Sequence, residues 1–138
     1  MKNIFLGLIT VLLAACSSTK FDADVLIIDA TDKSAINNEL SFKIEKIISD
    51  SRCPEGVQCV RAGEVKLTIG VYESNSETEE VDLVIDYRNF EQNKTFFESK
   101  IPLKNKNIEV IQILPNRIAG KNIEENEYQL KLIFSDKK

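Results

Sequence analysis

The stretch SDSRCPEGVQC places Cys53 and Cys59 with five residues between them, and only one other cysteine, Cys16, occurs in the chain. Two thiols at this spacing can form a structural disulfide, serve as a redox dithiol, or contribute half of a zinc site. A redox pair is more naturally spaced C-x-x-C, and zinc needs further His or Cys ligands. The chain has no histidine, so neither His nor Cys can supply the two further ligands of a zinc site, and Ser-His-Asp or Cys-His catalysis is excluded. Carboxylate and Ser-Lys chemistry remain open, but no pair of residues is singled out for either. The acidic run at residues 77–82 (ETEEVD) lacks the spaced oxygen ligands and glycine of a calcium loop. We therefore expect no metal and no cofactor.

The choice between staple and reactive pair depends on the compartment, and the first residues address that. Lys2 precedes an apolar run of about twelve residues (4–15), the length of a signal-peptide core and too short to span a bilayer. The run ends in Leu13-Ala14-Ala15-Cys16, which resembles a bacterial lipobox. On this reading residues 1–15 are a lipoprotein signal peptide. Cys16 becomes the lipidated first residue, and residues 16–23 form a tether. At about 0.8 kcal/mol per buried CH₂, two or three acyl chains anchor stably. Ser17 is not the aspartate that retains such proteins in the inner membrane, so the outer membrane is the expected address. Export puts Cys53 and Cys59 in an oxidising compartment, where a disulfide is the expected state. Closing so short a ring stabilises by about 2 to 2.5 kcal/mol by loop-closure entropy.

A braced loop is also a pre-organised recognition element, because bracing lowers the ordering cost of association. The candidate binding residues are Asp50, Arg52, Glu55, Val57, Gln58 and Arg61. The plainer readings are that Asp50 and Ser51 turn the chain through local hydrogen bonds, and that Arg52 pairs with a carboxylate such as Glu64.

The elements that must position this loop read as strands. Leu40, Phe42 and Ile44 alternate with polar residues, as do Val65, Leu67, Ile69 and Val71, then Val81, Leu83, Ile85 and Tyr87, and finally Tyr128, Leu130, Leu132 and Phe134. This is the pattern of half-buried strands. Residues 25–28, 95–101 and 108–114 supply three more, with no helix required. Lys46 falls on the core parity after Ile44, which predicts a β-bulge. Turn-like breaks stand at residues 29–38, 73–78, 88–94 and 115–126. Residues 24–138 are thus expected to form one domain, an all-β, antiparallel immunoglobulin-like β-sandwich of about seven strands, with a small β-barrel as the alternative. The formal charge of −4, about −5 after loss of Lys2, gives no electrostatic reason to expect nucleic acid as a partner.

The runs Asp50-Ser51-Arg52-Cys53-Pro54, Val57-Gln58-Cys59-Val60 and Ala62-Gly63-Glu64-Val65 together resemble the D-S-R-C-P…C-V-W-A-G signature of small bacterial lipoproteins and secreted proteins of uncharacterised function. Ile113-Leu114-Pro115 and the last segment with Tyr128 are similar as well. The chain departs from the signature at Arg61, where the pattern has Trp. The resemblance implies the same fold and address and assigns no reaction. The expectation is a non-enzymatic, lipid-anchored envelope protein that binds an envelope partner or serves structurally. A hydrolase inhibitor presenting the Cys53–Cys59 loop and a carboxylate-based envelope enzyme are the alternatives.

Overall fold

The computed structural model describes residues 23–138. The expected signal peptide and Cys16, with all of the expected tether but Ala23, lie outside the described residues. Seven strands, β1 (Val25–Asp29), β2 (Ser34–Ala35), β3 (Leu40–Asp50), β4 (Val65–Glu73), β5 (Ser76–Ile85), β6 (Lys106–Leu114) and β7 (Gln129–Asp136), are joined by one helix, α1 (Phe90–Lys100). They form two antiparallel sheets, ordered β1-β7-β6 and β2-β3-β4-β5. The sheets do not close into a barrel. They stack as a β-sandwich, as the alternation requires.

The core lies between the sheets. Leu130, Leu132 and Ile28 from one meet Phe42, Ile44, Leu67 and Ile69 from the other, all essentially without solvent contact. The expected bulge is present: the register of β3 against β4 shifts between Ile44 and Lys46, and again between Ile47 and Ser49. The β4–β5 hairpin turns on Ser74 and Asn75, both at positive φ (48° and 71°). This tight two-residue turn lets β5 begin at Ser76, inside the expected break. The acidic run therefore lies on an exposed edge strand, where like charges discourage pairing with another sheet.

Two expectations are corrected. Residues 95–101 are not a strand; residues 95–100 belong to α1 and Ile101 caps its end. The helix buries Asn93 and Phe97 four residues apart, and Phe97 packs edge-on against Phe42, 5.7 Å between ring centroids. Because one of its two buried positions is an asparagine, the helix shows no clear apolar period. Glu91 in the first turn and Lys100 in the last suit the helix dipole. Tyr87, expected on the core parity of β5, is 79% exposed. The strand ends at Ile85 because the Asp86 carboxylate accepts hydrogen bonds from the backbone N–H and side chain of Asn89, at 2.8 and 2.7 Å. That turn swings Tyr87 out of the sheet and starts the helix.

The helix closes the open side of the sandwich, between edge strands β5 and β6. Asn93 Nδ2 donates to the Val84 carbonyl of β5 at 2.8 Å, and the Glu98 carboxylate accepts from the Ile108 N–H of β6 at 3.0 Å. Each edge thus has a backbone group satisfied by a helix side chain, as burial demands.

Candidate functional site

The cysteine loop grows out of β3 and β4. Ser51 N–H donates to Glu64 O and Cys53 N–H to Ala62 O, both at 2.9 Å, so the hairpin continues past the named strands. Gly63 makes this possible. Its φ is +75°, and a Cβ built there would stand 2.0 Å from the Ser51 oxygen, which no side chain can tolerate. Above this point the Cys53 and Cys59 sulfurs are bonded, with the Cα atoms 5.9 Å apart. The loop is also tied sideways, since Glu55 N–H donates to Arg117 O at 2.8 Å and Asn116 Nδ2 donates to the Glu55 carboxylate at 2.6 Å.

Asp50 and Arg52 lie beneath the loop, bonded to each other and to the strands below, with Arg52 also lining the adjacent groove. The Arg52 guanidinium makes two bonds to the Asp50 carboxylate, Nη2 to Oδ2 at 2.7 Å and Nε to Oδ1 at 3.0 Å, and Nη1 reaches the carbonyls of Ile113 and Pro115 at 2.9 and 3.0 Å. Tyr128 OH donates to the same carboxylate at 3.0 Å, and Arg117 Nη1 donates to Arg52 O at 3.0 Å. With side chains 8% and 18% exposed, this pair welds the hairpin to the end of β6 and the start of β7. Burial alone would raise the Asp50 carboxyl. The hydrogen bonds and charge of Arg52, with the bond from Tyr128, outweigh it and hold Asp50 below the ordinary aspartate range. The expected Arg52–Glu64 pair does not form; Glu64 pairs with Arg88 and Lys66.

Glu55, Val57, Gln58 and Arg61 remain on the surface. Glu55 is occupied by Asn116, and Arg61 makes no polar contact among the described residues. Val60 beside it is fully exposed, and Val57 is half exposed. Next to this patch, a groove of about 620 Å³ runs between the two sheets. Ile85, Tyr87 and Phe90 form one wall, Val110, Ile111 and Ile113 of β6 the other, and Ala62 and Gly63 close its end. A second hollow, lined by Val60, Arg61, Tyr87 and Arg88, continues from it through Ala62 and Gly63.

Sequence reasoning missed this groove because its walls come from β5, α1 and β6, far apart in the chain. One signal was present. All four arginines, Arg52, Arg61, Arg88 and Arg117, gather at this end of the molecule, while the other basic residues are lysines. Arginine favours planar, multidentate contacts and recurs where carbonyls and carboxylates are held.

Asp86 lines the groove but is committed. Burial would raise its carboxyl; the bonds from Asn89 and the charge of Arg88 prevail and lower it. A general acid needs the opposite shift. The chain matches no family model, no curated protein and no solved structure.

Proposed function

We propose that this protein is a lipid-anchored module of the bacterial cell envelope that binds a partner at the arginine-rich end of its sandwich, with no catalysis of its own. The observation that carries the reading is the polarity of the domain. The chain enters β1 beside Phe134 and Lys106, where Asp24 O accepts from Phe134 N–H. The cysteine loop, by contrast, is fastened to Ile113, Pro115 and Tyr128 at the far ends of β6 and β7. The eight residues of β7 separate the two ends, about 25 Å at ~3.3 Å per residue. A lipid on Cys16 would hold one end at the membrane and turn the groove, Tyr87, Val60 and Arg61 away from it. Exposed Tyr and Arg beside an apolar groove are the residues that dominate association energy elsewhere.

The inhibitor alternative fits less well, because residues 115–118 hold the loop down on one side and it does not project freely. The carboxylate-enzyme alternative loses Asp86 to Arg88 and Asn89. The test is a crosslinking capture from intact cells, comparing the native protein with a Tyr87→Ser/Arg61→Ser variant of unchanged circular dichroism. A partner captured by the native form and lost with the variant supports the reading. Identical captures, or none, contradict it.

A further inference from the structure

The edge of β6 is guarded at both ends and open between them. Phe134 N–H points to β1, which fixes the parity of β7 and sends the backbone groups of Val110 and Gln112 toward β7. The alternate residues of β6 face outward, as two side-chain contacts show. Ile108 N–H donates to Glu98, and Ile113 C=O accepts from Arg52. Ile111 shares the parity of Ile113, and the register shift between Ile108 and Val110 is what brings Ile108 onto the same outward side. The N–H and C=O of Ile111 therefore point outward into the apolar groove, where no group of the described residues answers them. An apolar cleft with an unpaired strand edge is complementary to one kind of ligand, an extended backbone. The open window, residues 109–112, is about 13 Å long at ~3.3 Å per residue, room for about four paired residues.

Charge narrows the ligand further. Glu109 at the start of the window and Arg61 beyond its end are exposed and without polar partners among the described residues. We propose that the groove is a strand-addition site, and that its occupant is an extended peptide segment of another protein. That segment pairs with Ile111, seats an apolar side chain between Tyr87, Phe90 and Ile111, and carries an acidic residue toward Arg61 and a basic one toward Glu109. The chain's own N-terminal segment is not the favoured occupant, because it joins the domain at the opposite end. The proposal rests on the binding reading above and specifies its ligand.

The test uses the intact domain and a positional-scanning library of acetylated, amidated hexapeptides. Enrichment of peptides with an apolar centre and charged ends of opposite sign is expected. N-methylation of the central amide of the best peptide should weaken binding about tenfold, the value of one lost backbone hydrogen bond. Ile111→Pro removes the outward N–H at an edge position, where proline is tolerated, together with the Ile111 side chain that lines the groove. It should weaken binding by at least as much, and by more than Ile111→Ala, which keeps the N–H. Should that variant misfold, the N-methylated peptide decides alone. A best peptide indifferent to N-methylation overturns strand addition, as does the absence of any enriched peptide. A dimer in sedimentation velocity that disperses with Ile111→Pro also overturns it, assigning the edge to a second copy of the chain. A Tyr87-dependent and Arg61-dependent partner found in cells would survive each of these failures, so the two claims fail separately.

Discussion

At the residue scale, the specific part of the sequence, Asp50 to Gly63, divides into residues that build the end of the sandwich and residues that remain outside it. Arg52 satisfies a buried carboxylate and two carbonyls at once. Removing its head group in Arg52→Met takes away the charge partner of Asp50 and leaves it only the bonds from Tyr128 and the residue-52 N–H, and the expected loss is about 3 kcal/mol in chemical denaturation. Gly63→Ala combines a positive φ with a clash against Ser51 O. A loss of at least about 3 kcal/mol is expected, and a variant of wild-type stability would refute the geometry. Acid titration follows from the lowered carboxyls of Asp50 and Asp86. Their folded values lie below the unfolded ones, so their contribution is complete above the ordinary aspartate value of about 3.9 and is lost as pH falls through the folded values. Asp50→Asn should flatten the acid limb of a stability–pH curve; an unchanged limb would exclude Asp50 from it. The local part of this network was legible, since Asp50 accepts from the Arg52 N–H at 3.1 Å as a turn-forming aspartate should and Arg52 pairs with a carboxylate, though Asp50 and not Glu64; its long-range part was not. Asp50 and Tyr128 are 78 residues apart, and nothing local distinguishes a capping aspartate from one gripped by an arginine.

At the element scale, strands were legible and the helix was not. Alternation exposed β3, β4, β5 and β7 because one face of each meets the core, and even the β3 bulge followed from the parity of Lys46. α1 gave no such signal: Asn93, which an apolar count scores as polar, is buried to satisfy Val84 O. The helix depends on tertiary packing. Phe97→Ala should cost about 3 to 5 kcal/mol and speed hydrogen exchange at β5 and β6, the edges α1 covers. Faster exchange confined to the helix would contradict its role as a plug. The disulfide acts on a smaller unit. Cys53→Ser/Cys59→Ser should lower stability by about 2 to 2.5 kcal/mol and leave the sandwich folded, because the Arg52 network and residues 115–118 still hold the base of the loop.

At the scale of the whole molecule, the two ends of the sandwich differ in what they present. One receives the chain from its N-terminal segment. The other collects every arginine, the braced loop, an exposed tyrosine and a groove whose backbone edge is open at Ile111. The groove needs the fold to exist, since β5, α1 and β6 meet only in three dimensions. The proposed lipid anchor would give this asymmetry its meaning, and mass spectrometry of the membrane fraction should then find acyl mass on Cys16 as the first mature residue. The central claim, recognition at the end away from the membrane, is tested most directly by a photo-crosslinking amino acid placed at Tyr87 or, at the opposite end, at Asn105 in intact cells. The account predicts a discrete protein adduct from position 87 and none from position 105. Adducts from position 105 alone, or from neither, would contradict it.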